Sequence, residues 1–251
     1  MLTHTARSAL SKLLVFVAGV GILYLMPQRA LAADRIDLVV MVDLTQSVAV
    51  KGSESRTESE KNLQAVTRLL AQVPAGAHVT VLGITDNSFA QPYILLSADV
   101  GGDEGYFHEK LNSARRHLVR IWRRRIEHLQ GAFSHTDVFG ALLLADQLFQ
   151  ERASGWRNVL VILSDMRQDT ADLSLETPSE FDVKSALVKT EMKGWIARLG
   201  SVQVYVLGVD NAGKPIAYWW QLREYWIDYF NSAGAHVESY SVLREFRNLR
   251  P

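Results

Sequence analysis

Apolar runs alternate with amphipathic stretches along the chain, and the two periods predict different elements. Ile36-Asp37-Leu38-Val39-Val40-Met41-Val42 is nearly continuous in apolar residues, as expected for a strand buried on both faces of a parallel sheet. Leu63, Val66, Leu70 and Val73 then recur at helical spacing, so residues near 57–73 are predicted to form an amphipathic helix ended by Pro74-Ala75-Gly76. His78 to Thr85 reads as a second strand. Tyr93 to Leu96 reads as a short third strand reached without a crossover helix, which makes it an antiparallel edge strand. Leu111, Leu118, Trp122 and Leu129 place a helix over 106–130. Leu142, Leu143, Ala145 and Phe149 face another helix inward, and Val159 to Leu163 is a fully apolar strand. Further on, Val188, Met192, Trp195 and Leu199 predict a helix over 183–199, Val202 to Val209 a fifth strand, and Trp219, Leu222, Trp226 and Phe230 a helix over 215–233. His236 to Tyr240 completes the strands, and Val242 to Leu249 reads as a short terminal helix.

Strands alternating with helices of ten or more residues demand a mostly parallel sheet. The predicted fold class is therefore α/β: a doubly wound, mostly parallel six-stranded sheet with one antiparallel edge strand and helices on both faces. The composition agrees, with 48% apolar and 22% charged residues in 251. The formal net charge of zero gives no general case for nucleic acid.

The first 32 residues follow a different pattern. Arg7 and Lys12 precede fourteen uncharged, mostly apolar residues, Leu13 to Met26, and Pro27 and Ala30-Leu31-Ala32 follow. That run is shorter than the roughly 20 residues of a spanning helix and ends at small residues, as an export signal does. Residues 1–32 are expected to be a signal peptide, or an uncleaved signal anchor, preceding a single domain over 33–251. The expected location is periplasmic or secreted. Without Arg7, Lys12 and Arg29 the remainder has 24 basic against 27 acidic residues, and the chain has no cysteine with which to staple itself in an oxidising compartment.

Chemistry concentrates after the first strand, at Asp43-Leu44-Thr45-Gln46-Ser47. One carboxylate and two hydroxyls at alternate positions, just past the carboxyl end of a central strand, present oxygen donors where α/β sheets bind ligands. Such donors suit a hard divalent cation, Mg²⁺ before Mn²⁺ or Ca²⁺. The Asp-x-Ser/Thr-x-Ser spacing resembles the metal-ion-dependent adhesion site of von Willebrand factor A (vWA) domains, here with threonine at the middle position. The resemblance spans roughly Arg35 to Phe246. It extends to Thr136, in the loop before the third helix, and to Asp165, after the fourth strand. By resemblance Thr45 and Ser47 bind metal directly, Thr136 directly or through water, and Asp43 and Asp165 largely through water. The same resemblance implies a non-enzymatic module that takes an acidic side chain of a partner protein, with loops 48–57, 99–107 and 165–182 around the site.

Other readings remain beside it. A phosphohydrolase of the haloacid-dehalogenase type also begins with a strand and an aspartate, but wants a second aspartate where Thr45 stands and a lysine for which Lys184 is the nearest candidate. A scaffold that has lost its metal is a third. Asp86 and Asp210 follow strands and read as turn residues, while His78, His117, His128 and His236 lack ligand spacing. The arginines of 115–125 form either a patch for an acidic partner or anionic membrane, or a solvated face balanced by Glu109 and Glu127. Neither a phosphate-binding glycine loop nor a nucleophile elbow occurs.

Overall fold

In the computed structural model, residues 35–49, 56–129, 133–152, 154–177, 182–210 and 213–246 are described. The expected signal segment lies outside them. Six strands form one sheet: β1 (Ile36–Asp43), β2 (His78–Ile84), β3 (Tyr93–Asp99), β4 (Arg157–Leu163), β5 (Gln203–Leu207) and β6 (His236–Ser241), in the order β3-β2-β1-β4-β5-β6. All neighbours are parallel except β3, which runs antiparallel to β2 at the edge. It is longer than its apolar core suggested, because the ladder continues through Ser97 and Ala98 on an edge that tolerates polar residues.

Every residue of β1 is buried. Leu38, Val40 and Val42 point into a core shared with helices α1 (Glu58–Leu70) and α2 (Glu109–Ile126). Val39 and Met41 point into the opposite core with α3 (Val138–Gln150), α4 (Val183–Met192) and α5 (Ile216–Ser232). Two-sided burial explains why this strand reads as a continuous apolar run. Helix α1 starts at a capping box, in which Thr57 Oγ1 accepts from Glu60 N and the Glu60 carboxylate accepts from Thr57 N. Among the described residues, no helix is long and apolar enough to cross a membrane.

Three expectations fail in instructive ways. Helix α4 stops at Met192, because Gly194 takes φ 71° and the Trp195 and Gly194 amides fold back onto Thr190 and Glu191 carbonyls in a Schellman closure. Its buried face is Val183, Ala186 and Thr190, which leaves Val188 and Met192 exposed. No helix forms over 242–246; the rest of the expected terminal helix lies outside the described residues. In α5 the buried aromatics include Tyr218, Tyr225 and Tyr229 beside Trp226 and Phe230, so the inward face is wider than one stripe.

Candidate metal centre

Strand order reverses between β1 and β4, and the crevice at their carboxyl ends is the usual ligand position of such a sheet. Val42 pairs with Leu163, so Asp43 leaves β1 beside Ser164 and Asp165 leaving β4. Ser164 Oγ donates to Asp43 Oδ2 at 2.6 Å. The other Asp43 oxygen, Oδ1, accepts from Thr45 N at 3.0 Å and Thr45 Oγ1 at 2.7 Å, which closes the loop into an Asx turn.

Thr45 Oγ1 is the hub of the hydroxyls. It shares a 3.0 Å hydrogen bond with Ser47 Oγ, on the single turn of 3₁₀ helix Gln46–Ala49, and accepts from Thr136 Oγ1 at 3.0 Å. Thr136 is delivered from the far side of the chain by backbone pairing. Its N–H donates to Asp169 O at 3.1 Å and its carbonyl accepts from Asp169 N at 2.9 Å, while Phe133 is clamped between Leu44 O and Gln46 N. Asp43, Thr45, Thr136 and Asp165 are buried and Ser47 is half-buried. All five expected site residues thus belong to one corner of the molecule.

Neighbours that the sequence reading did not single out complete this corner. Arg167, buried, donates its N–H to Asp165 Oδ1 at 3.1 Å and brings Nε to 3.7 Å from Asp165 Oδ2; its guanidinium lies 5.9 Å from the Tyr218 ring. Gln168 Oε1 accepts from the Val138 and Phe139 amides, at 2.8 and 3.2 Å, and so holds the start of α3 next to Thr136. Asp137 caps the same helix through Gly140 N and accepts from Ser88 N at 2.9 Å. The turn after Asp165 places Met166 at φ 64°, a region costly for a residue with a long side chain, and Trp226 Nε1 pins it by donating to Met166 O at 2.8 Å. The polar run Ser164-Asp165-Met166-Arg167-Gln168 after an apolar strand was the available signal, but its contacts to the Asp43 loop and to α3 span 29 to 121 residues.

Of the three expected loops, 50–55 of the first and 178–181 of the third lie outside the described residues, and 99–107 is misplaced. Because β3 is antiparallel, its end at Asp99 pairs with His78, so loop 99–107 begins at the opposite end of the strands. The β2–β3 connection takes its place at the site, tied there by Ser88 to Asp137. Asp86 lies exposed in that connection, and Asp210 is half-buried beyond β5. His78 is buried at the amino-terminal end of β2 against Asp37, with Nδ1 2.8 Å from Asp37 Oδ1, while His117, His128 and His236 are exposed.

Electrostatically the corner is short of positive charge. Burial pushes the Asp165 carboxyl up, and the neighbouring Asp43 charge pushes it further, to about 7, against the pull of Arg167. Burial likewise raises Asp43, opposed by hydrogen bonds from Ser164 and Thr45. Two crowded, desolvated carboxylates beside a Thr45 hydroxyl that lies 3.0 Å from those of Ser47 and Thr136 suit a small cation. Ligands at cis positions of an octahedral Mg²⁺ stand about 2.9 Å apart, given metal–oxygen distances of about 2.0–2.1 Å. Among the described residues, no group of three His, Cys, Asp or Glu side chains gathers to hold a metal.

The strand order with one antiparallel edge is a doubly wound, Rossmann-like sheet, the arrangement expected from the resemblance to von Willebrand factor A domains. The chain is similar to the PilB minor pilin from Streptococcus sanguinis, at 14% identity over 84% of this chain and 58% of that one, with a TM-score of 0.51. It is similar also to the pilus adhesin SpaC from Lactobacillus rhamnosus GG, at 12% identity over 82% of this chain and 28% of that one, with a TM-score of 0.50. The SpRpn10 VWA domain matches at 16% identity over 84% of this chain and 90% of that one, with a TM-score of 0.44. No protein-family model matches the sequence, and no curated protein matches it by sequence.

Proposed function

We propose that the chain is an exported, non-enzymatic binding module that captures an acidic side chain of a partner protein through a divalent cation, Mg²⁺ before Mn²⁺ or Ca²⁺. The observation that carries this reading is the convergence of the Ser47 and Thr136 hydroxyls on Thr45 Oγ1, each at 3.0 Å, beside the buried carboxylates of Asp43 and Asp165. Thr45 and Ser47 would hold the ion, with Thr136 direct or through water. Asp43 and Asp165 would orient its waters.

When bound, the cation supplies a positive centre that neutral hydroxyls leave under-neutralised, so a partner carboxylate gains most by completing its coordination. Asp43 fixes the hydroxyl of Thr45, Ser164 fixes Asp43, and the Thr136–Asp169 pairing sets how closely the third hydroxyl approaches. Export is supported by the apolar segment Leu13–Met26 and the small residues that follow it. The names of the similar pilin and adhesin fit a module acting outside the cytoplasm. Against phosphohydrolase chemistry, Thr45 hydrogen-bonds Asp43 where a general acid would be wanted, and Lys184 is exposed on α4.

Calorimetric titration of Mg²⁺ and Mn²⁺ into the protein tests the first half, with saturable binding expected. A pull-down in Mg²⁺ and again in chelator tests the second, with partners retained only in Mg²⁺. Absence of binding at millimolar metal would leave the metal-free scaffold as the better account, with Arg167 as the resident cation.

A further inference from the structure

Helix α2 packs six arginines into residues 115–125, and its apolar face is already consumed. Leu111, Leu118 and Trp122 are buried, and Trp122 Nε1 donates to Leu63 O and Thr67 Oγ1 of α1. Two of the arginines have work inside the fold. Arg115 donates to Val73 O at 2.8 Å and Gln72 O at 3.3 Å, and Arg125 lies 5.8 Å from the Tyr93 ring.

The other four do not. Arg116, Arg120, Arg123 and Arg124 are exposed and form no hydrogen bond or ion pair among the described residues. The expected counter-charges fail to reach them. The Glu109 carboxylate turns back to accept from Phe107 N at 2.8 Å, and Glu127 makes no ion pair among the described residues. Arg116, Arg120 and Arg124 follow one another at i,i+4, the spacing at which like charges repel. They line a groove along α2, bounded by Ala71 just past the end of α1, whose acidic lining among the described residues is Glu127 alone.

This row runs towards the candidate metal centre. Tyr93, beside Arg125, packs edge-on against Phe133 at 6.2 Å, and Phe133 is the residue clamped between Leu44 and Gln46 of the metal loop.

We infer that the arginine face of α2 docks an acidic polypeptide segment of the same partner whose carboxylate is taken at Thr45 and Ser47. Only the shared partner rests on the proposed reading of the metal site; the unpaired row stands on its own contacts. From Arg116 to Arg124 the helix rises about 12 Å. An extended chain covers that in about four residues. Guanidinium groups suit carboxylates in particular, because their planar forks match two oxygens at once. An anionic bilayer is the poorer occupant: helices that lie on membranes insert an apolar face, and that of α2 is spent on the core.

The test compares a capped octaglutamate with a capped tripeptide holding a single glutamate, each titrated against the full chain in Mg²⁺ and in chelator. Octaglutamate should bind more tightly than the tripeptide and lose affinity as salt rises. The R120E/R124E variant should weaken octaglutamate binding by about tenfold or more while leaving the tripeptide unchanged. An unchanged octaglutamate affinity in that variant would overturn the proposal. So would loss of binding to mixed phosphatidylglycerol and phosphatidylcholine vesicles with octaglutamate unaffected, which would make the face a membrane contact. If chelator and Ser47→Ala change neither peptide while the arginine reversal abolishes octaglutamate binding, the metal-site reading fails and the arginine face stands.

Discussion

Asp165 is a carboxyl held near neutral pH by its surroundings, and the sign of that shift makes a prediction. Its folded value of about 7 lies above the ordinary 3.8. Between those limits the folded, metal-free protein keeps a proton that the unfolded chain has lost. Stability therefore falls as pH rises through that window, and the full penalty is present above about pH 7. Asp165→Asn keeps the neutral form throughout. In chelator, its thermal midpoint should exceed that of the wild type at pH 8 and converge with it toward pH 4. A variant less stable at pH 8 would show that pairing with Arg167 outweighs burial. The same residue should make Mg²⁺ affinity rise between pH 5 and 7 and level off above. Among the hydroxyls, Ser47→Ala should cost more metal affinity than Thr136→Ala. The former would lose a direct bond, whereas groups acting through water or through another ligand typically cost about 10–100-fold; calorimetry on both variants decides it.

Helix α3 owes its position to residues outside it. Its first amides are taken by Gln168, fully buried, and by Asp137, which also ties down Ser88. A helix start left without such partners exposes unsatisfied donors to the core. Gln168→Ala should therefore destabilise the protein by roughly 1–3 kcal/mol in denaturant unfolding and weaken metal binding through Thr136. Gly140 is the other sensitive point: a Cβ there would stand 2.0 Å from Asp137 Oδ2 and 2.9 Å from Phe89 N, so Gly140→Ala should dislodge the cap. A Gln168→Ala variant as stable as the wild type would mean that water replaces the glutamine at no cost.

For the molecule as a whole, the two cores on either side of the sheet are large enough to hold the fold without an ion. Small zinc domains unfold on chelation because the metal bonds are most of their stability; here the candidate ion would sit at the rim of a six-stranded sheet. Chelator should leave the far-ultraviolet circular dichroism unchanged. Loss of the helical signal would make the metal structural and the adhesion reading wrong.

Periodicity along the chain was enough for the class of fold, the antiparallel edge and the positions of most elements, because each strand and helix declares its buried face locally. That Asp43, Thr45, Ser47, Thr136 and Asp165 should lie together came from the resemblance and not from their positions alone, since Asp86 and Asp210 follow strands as well. What the sequence alone could not decide was what those residues touch. The bonds from Ser164 to Asp43 and from Gln168 to the α3 amides join segments 121 and 30 residues apart. The early stop of α4 turned on one glycine adopting φ 71°, which periodicity does not register. The loop at the site changed from 99–107 to the β2–β3 connection because an antiparallel strand exchanges its ends. The arginines were plain in the sequence; that Glu127, three and four residues from Arg124 and Arg123, pairs with neither, and that four arginines stay unpaired among the described residues, was decided only in three dimensions.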